Sequence, residues 1–515
     1  MEEGFILGCF RVLPTVVLIL ILCIISVGYF YIWWKPKKLE KYLRRAGVEG
    51  NSYKLMYGDM VESKKLTAEA WAKPMPLNHS VAPRVNPFLY QMVQKYGRIS
   101  LSWHERSPQL LVADPGLVKL IFSERDGHFR KAPLNPLVDL LTLGLSTLEG
   151  DQWARRRRLI TPAFHLEKIQ RMVPAFLTSC SNLVERWNRT LVDSGGRFEL
   201  DIAPEMQNLS SDVIARAAFG SSFVEAETIF ELQKEQAVLV LEAFQSLYFP
   251  GFRFLPTKKN RRRYEIDRKI KARLKEMILS KETKAKKGNP DDDLLSLLIQ
   301  CQKQSDNEMT IDDIMEECKL FYFAGQETTA TWLTWTMVVL SMHPNWQEKA
   351  REEVIQVFGK RKPDVKALNQ LKIVSMILQE VLRLYTPVPT QSRYTLKTTQ
   401  IGDMEIPAGV KLILPLMLLH HDPEYWGEDV EEFKPERFSE GVSKAAKDDQ
   451  VAFFPFGWGQ RFCLGQNFAM VEAKLALSMI LQHFSFDLSP SYTHAPYTVI
   501  TLQPQYGAPL ILHRI

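Results

Sequence analysis

Between Val12 and Trp34 the chain reads VLPTVVLILILCIISVGYFYIWW, without one charged side chain. As a helix rising 1.5 Å per residue, this run is about 35 Å long, against about 30 Å of bilayer hydrocarbon. The aromatic group Tyr29, Phe30, Tyr31, Trp33 and Trp34 suits a membrane interface. Lys35, Lys37 and Lys38 follow directly, whereas Glu2, Glu3 and Arg11 stand on the other side. That asymmetry places the rest of the chain in the cytosol. A cleaved signal peptide would have a shorter apolar core, basic residues ahead of it and small residues at its exit. Here the exit is YIWWKPKK. The expected organisation is a membrane anchor over 1–35, a basic amphipathic and proline-rich linker over 36–87, and one large domain over 88–515.

The 515 residues are 46% apolar and 24% charged, a globular composition with no break that would divide the large domain. A net charge of +6 does not mark a nucleic-acid binder, although it permits acidic partners or anionic membrane surfaces. The cysteines are Cys9, Cys23, Cys180, Cys301, Cys318 and Cys463. They form no C-x-x-C pair and no zinc spacing, and reduced thiols are expected. Sequons at Asn78, Asn188 and Asn208 are chance matches on a cytosolic chain.

After the anchor, KPKKLEKYLRRAGVEG is basic and amphipathic and suits a membrane surface. Pro74, Pro76, Pro83 and Pro87 then define a connector in which helix is not expected. RISLSWHERSPQLLVAD alternates as a hairpin should. Helical periodicity dominates from Pro115 to Pro387, and strand-like pieces return in QIGDMEIPAGVKLILPL and in the last twenty residues. The expected fold is mainly α with small peripheral β-sheets.

One helix should be unusually long. Thr310 and Asp313 form a capping box, and His343-Pro344 ends the segment. Gln326, Glu327 and several threonines in its middle argue against a second membrane span. Inside it, AGQETT (324–329) combines a bulk-free Gly325, a proton-transfer group at Glu327, and hydroxyls at Thr328 and Thr329 that can loosen the helix. A polar kink without chemistry explains the same residues. In a following helix, Glu380 and Arg383 are i,i+3 neighbours in an almost wholly apolar setting, so their pairing should be buried, with Arg437 of FKPERF as a third member. Their expected role is structural.

Cys463 stands in PFGWGQRFCLGQNFA, among Gly457, Gly459 and Gly465 and just ahead of a strongly periodic helix. Free N–H groups and the positive end of the helix dipole favour its thiolate, and no histidine lies within ten residues to act as a base. A thiolate in a glycine-cleared apolar loop suits a soft metal or a flat iron macrocycle, for which cysteine is a known ligand. An inert buried cysteine is the other reading.

FGWGQRFCLG resembles the F-x-x-G-x-R-x-C-x-G signature of cytochromes P450, through Phe456, Gly459, Arg461, Cys463 and Gly465. AGQETT resembles the oxygen-activating segment of that family's central helix, Glu380 and Arg383 its E-x-x-R helix, and PERF its meander. WARRR resembles its W-x-x-x-R motif through Trp153 and Arg157. KLFYFAGQETT, WGQRFCLGQNFA and PSYTHAPYT are similar to a plant branch that contains secologanin synthase and oxidases of terpenoids and hormones. Thr386 and Gln460 stand where many relatives have proline, which leaves the reaction type intact but weakens inference to one substrate.

The resemblance implies the cytochrome P450 fold and a haem b held by the Cys463 thiolate, with Phe456 shielding the sulfur. Arg461, Trp153, Arg157 and Arg393 would hold the propionates, and Glu327 with Thr328 would relay protons. Electrons would come from a separate membrane-bound NADPH–cytochrome P450 reductase, and the exposed part of the Arg155–Arg158 run is a candidate docking surface. KKNRRR (258–263) is expected on a solvated or membrane-facing helix. Substrate contacts are expected from 134–148, Phe323, Ala324, Val388 to Thr390, and the turn Thr498–Ile500 with Val499 at its centre. These segments are apolar, which implies a lipophilic terpenoid or steroid-like substrate. The implied location is the endoplasmic reticulum membrane, with one span and a cytosolic catalytic domain. An isomerase or dehydratase of the same fold, or a membrane-tethered haem-binding protein, are the alternatives.

Overall fold

The computed structural model describes residues 2–131, 136–221, 223–245, 251–286, 293–304 and 309–515. Helix Glu2–Tyr29 runs through a π-helical turn, Phe30–Trp34, directly into helix Lys35–Arg45. The segment Val16–Arg45 is long and apolar enough to cross a membrane. At the π turn the Tyr53 hydroxyl donates to the Ile32 carbonyl at 2.6 Å, and the Tyr53 ring lies 5.0 Å from that of Trp103.

The basic stretch after the anchor forms a helix, and its apolar stripe is buried in protein. Leu43 is fully buried in a core with Leu101, Trp103 and Leu110, and Leu39 packs against it. That core lies under a five-stranded sheet ordered Ile99–His104, Ser107–Val112, Lys411–Leu414, Gln391–Thr395, Phe129–Arg130. The first two strands form the expected hairpin, with Leu101 opposite Leu110. Ser107–Val112 then runs parallel to Lys411–Leu414, with Leu110 opposite Leu412.

The proline-rich connector departs from expectation. Helix Ala82–Val85 lies inside it and helix Pro87–Tyr96 starts at its last proline, while helix Met60–Trp71 precedes it. Pro83 and Pro87 occupy the first turn of their helices, where the missing N–H has no intrahelical partner to lose. The buried Arg84 ties this segment to the other end of the chain through Pro496 O (3.0 Å) and Gln505 Oε1 (2.6 Å).

The larger core surrounds one helix, Ile311–Met342, which begins at the Thr310–Asp313 capping box and ends at His343 before Pro344. Leu333, Trp335 and Met337 on it have no exposure, so it is buried on all sides in its second half. Helices Ile202–Phe219 and Gln466–His483 pack directly on it, and Leu166–Asp193 packs on both of those. A three-stranded sheet of Arg197–Asp201, Pro509–Arg514 and Phe484–Leu488 closes one flank. The result is mainly helical with small peripheral sheets, as the periodicity predicts.

Candidate active site

The central helix and the cysteine loop face one cavity of about 660 Å³. From the helix come Ala324, Gly325, Thr328, Thr329 and Trp332; from the loop come Phe456, Arg461, Cys463 and Gly465. Gly325 is required here by packing as well as by the cavity, since a Cβ would sit 2.8 Å from the Ile214 side chain of the neighbouring helix.

The loop is built to present its thiol. Cys463 N donates to Phe456 O at 2.9 Å, which closes the turn. Gly465 caps the N-terminus of helix Gln466–His483. Cys463 is exposed, but only onto the cavity; the surrounding protein pushes its thiol up, while the backbone N–H groups of Gly465 and Gln466 and the Arg157 charge pull it back. These are the unpaired donors of a helix start, aimed at the sulfur as the sequence predicts. Gly465 has no atom within 4 Å of where a Cβ would stand. Gly459 behaves differently. It does not line this cavity; its Cβ would fall 2.1 Å from Phe122 O, so it serves the backbone approach of helix Pro115–Ser123.

Four cations meet at the cavity: Lys131, Arg157, Arg393 and Arg461. Arg461 Nη2 bonds Glu149 Oε2 at 2.6 Å and Leu148 O at 2.8 Å, and its guanidinium lies over the Trp153 ring at 4.6 Å. Arg157 Nη2 bonds Phe462 O at 2.9 Å. Arg393 rests on the Phe122 ring at 4.8 Å. Burial, then the neighbouring Arg461, lowers Lys131 to about 7 and Arg393 to about 10. The cluster therefore lacks anionic charge, and Glu149 supplies only part of it. A planar group bearing two carboxylates and a metal that accepts one thiolate fits this donor set. Lys131 and Glu149 are the site residues that sequence reasoning missed, because neither belongs to a recognisable motif.

Thr328 lines the cavity, its hydroxyl donating back to Ala324 O at 2.8 Å. Glu327 does not. Its carboxylate accepts from Thr501 Oγ1 and Gln503 Nε2, both at 2.7 Å, and from Gln207 Nε2 at 3.4 Å. Three polar side chains thus hold the acid turned toward the C-terminal hairpin, and Gln503 is itself fixed by a 2.9 Å bond to Thr331 Oγ1. Of the expected substrate contacts, Ala324 and Val388 line the cavity; Phe323 packs among Val138, Leu141 and Val240, and from the turn Thr498–Ile500 it is Ile500, not Val499, that lines the cavity. From the 134–148 loop, Thr142, Leu145, Ser146 and Thr147 line the cavity, and residues 134 and 135 lie outside the described residues.

Glu380, Arg383 and Arg437 come together as expected, away from the cavity. Arg437 Nε stands 3.5 Å from Glu380 Oε1 and also bonds Trp426 O and Asp429. In the Arg155–Arg158 run, Arg156 is not part of a docking face: it is buried against Glu317 and Asp313, which leaves Arg155 and Arg158 exposed.

The cytochrome P450 family profile matches residues 77–505. Cytochrome P450 CYP72A616 of Paris polyphylla is 52% identical over 94% of this chain and 95% of its own length. Cytochrome P450 CYP72A219 of Panax ginseng is 50% identical over the same shares. The 7-deoxyloganic acid hydroxylase of Catharanthus roseus is 49% identical, again over 94% of this chain and 95% of its own. With the thiol, the hydroxyl and the four cations on one cavity, and this similarity along nearly its whole length, the chain belongs to the cytochrome P450 family of monooxygenases.

Proposed function

We propose that this protein hydroxylates a lipophilic terpenoid or terpenoid-derived hormone at the cavity floored by Cys463. The observation that carries the reading is the meeting of the Cys463 thiol, the Thr328 hydroxyl and four cations on a single cavity. Cys463 would hold the iron of haem b, Phe456 would shield the sulfur, and Arg157, Arg461, Arg393, Lys131 and Trp153 would hold the propionates. Bound there, the haem supplies oxygen activation, with the thiolate donating electron density to the metal.

The residues above it handle protons and substrate. Thr328 Oγ1 exchanges its bond to Ala324 O for a donor role into the cavity. Glu327 takes up protons where Thr501, Gln503 and Gln207 surround its carboxylate, and side-chain rotation carries them toward Thr328. Ala324, Val388, Leu145 and Ile500 present the apolar surface that orients the substrate and excludes water. The similarity to a 7-deoxyloganic acid hydroxylase supports a terpenoid-type skeleton. Electrons come from NADPH–cytochrome P450 reductase, and the apolar N-terminal helix holds the enzyme in the endoplasmic reticulum membrane with residues 88–515 in the cytosol.

The overall reaction is RH + O2 + NADPH + H+ giving ROH + H2O + NADP+. Microsomes carrying this chain and a reductase, supplied with 18O2 and screened by mass spectrometry against terpenoid, gibberellin and brassinosteroid libraries, test it. One 18O per product, dependent on NADPH, is expected. NADPH-independent turnover of a hydroperoxide would instead make the protein an isomerase or dehydratase.

A further inference from the structure

Glu317 has no solvent exposure, yet it is not part of the cavity. It sits on the central helix, two turns before Ala324. Its Oε1 accepts from Arg156 Nη1 at 3.0 Å, and its Oε2 accepts from the backbone N–H of Leu145 at 3.1 Å. Arg156 Nη2 turns its other side to Asp313 Oδ1 at 3.0 Å. Arg156 therefore bridges two acids of the central helix, and one of those acids reaches across to a loop.

That loop, 142–147, has no regular secondary structure and supplies Thr142, Leu145, Ser146 and Thr147 to the cavity wall. Its tightest point is Gly144, with φ of +89°, where an added Cβ would lie 2.8 Å from the Glu317 carboxyl carbon. The loop turns back on itself there, with Thr147 N and Leu148 N both bonded to Gly144 O. On its far side Lys131 Nζ holds Ser146 O, and Arg461 holds Leu148 O. The cations that hold the far side belong to the cofactor end of the cavity. Glu317 is what holds the near side.

A buried carboxylate is a costly way to stabilise a fold, and an apolar replacement of both partners is often neutral or better. Burial, aided by the neighbouring Asp313 charge, holds the Glu317 carboxyl up at about 7 against the pull of the Leu145 N–H and Arg156. What the carboxylate gives in return is position. It is a fixed acceptor for one loop N–H that would otherwise be buried without a partner.

We infer that Glu317, supported by Arg156, is a positioning residue that seats the 142–147 loop and thereby sets the size of ligand the cavity admits. The inference rests on a haem occupying the cavity, because the ligands that report on it bind to haem iron. Its test uses imidazole, which is small, and ketoconazole, which fills the space above the metal. Dissociation constants are read from the Soret shift of the purified full chain, and the reduced CO spectrum reports haem ligation.

Two variants disturb the seat from opposite sides. Glu317→Gln removes the charge and leaves Gly144 in place. Gly144→Ala keeps the charge and forces the loop off the carboxylate. Both are expected to keep the thiolate CO spectrum and to bind imidazole within about twofold of the parent. Both are expected to change the ratio of ketoconazole to imidazole affinity by about tenfold, equivalent to about 1.4 kcal/mol. The double variant should show no further change, since each change alone empties the seat. Unchanged ratios in both variants, or equal weakening of both azoles, would overturn the proposal. If Glu317→Gln does not retain haem, Gly144→Ala and Glu317→Asp decide it by the same ratio. Absence of any Soret shift or CO band in the parent would overturn the haem reading instead.

Discussion

Arg383 closes two parallel hydrogen bonds onto Glu380 one turn earlier, Nε to Oε2 at 2.8 Å and Nη2 to Oε1 at 2.7 Å, with neither side chain exposed. The remaining guanidinium donors reach His420 O, Val430 O and Glu432 O, and Glu380 Oε1 also accepts from Lys434 N. The pair therefore pins a buried helix to the stretch that leads into the cysteine loop. Removing one partner leaves an uncompensated buried charge, at a cost of about 3–5 kcal/mol. Glu380→Ala or Arg383→Ala is expected to yield protein that neither holds haem nor melts cooperatively, as circular dichroism and the haem-to-protein ratio will show.

Cys463→Ser tests the ligand directly. Its hydroxyl is a poor match for a soft metal site, so the CO-bound Soret band characteristic of thiolate ligation should vanish along with activity. Retention of that band would remove Cys463 from the metal.

Thr328→Ala should leave the CO spectrum unchanged and divert NADPH consumption from product to hydrogen peroxide. The expected loss of coupled turnover is about 100-fold, the low end for a positioned proton donor. Gln503→Leu removes a 2.7 Å bond to Glu327 without touching the cavity, and should shift the same partition by a smaller amount. Product formed per NADPH and peroxide released are the two readouts.

Gly459→Ala places a methyl group 2.1 Å from Phe122 O at a φ of +70°. Overpacking of this kind costs about 1–3 kcal/mol, and the left-handed backbone adds about 1–2 kcal/mol. A lower melting temperature with an unaltered CO spectrum in the folded fraction is expected. A shifted spectrum at unchanged stability would mean that this glycine serves the cofactor directly.

Glu472 gives a pH signature. It is fully buried on helix Gln466–His483, and burial pushes its carboxyl up to about 8. The folded state thus holds a proton that the unfolded chain releases near 4.5. Its contribution to stability is complete at low pH and declines as pH rises from about 4.5 to about 8, by at most about 1.4 kcal/mol per pH unit. Glu472→Gln should flatten that decline, so its melting temperature relative to the parent should rise between pH 5 and pH 8. Parallel curves for the two proteins would show that the side chain is ionised in the fold.

Much of this site is legible along the chain because its parts are local. The cysteine loop, the capping box and the AGQETT turn each lie within a few residues, where turn geometry and helical period translate directly into position. The seat of Glu327 is not legible, since Thr501 and Gln503 approach from more than 170 residues away. Lys131 is a single cation that becomes meaningful only beside Arg393 and Arg461. Arg156 reads as one of four arginines on a solvated helix, and only the packing against Glu317 distinguishes it. The proline connector misleads for a different reason: proline forbids the interior of a helix and tolerates its first turn.

The bond from Tyr53 to Ile32 changes how the N-terminal helix acts on the rest of the molecule. A helix joined through a slack tether would leave the body free to swivel above a lipid surface. Here the last apolar turn is hydrogen-bonded to Tyr53, whose ring packs at a tilt against Trp103, and the following helix is sunk into the same core through Leu43. Helix and body are thereby coupled through a hydrogen bond and a shared core, which opposes free swivelling of the cavity about the apolar segment.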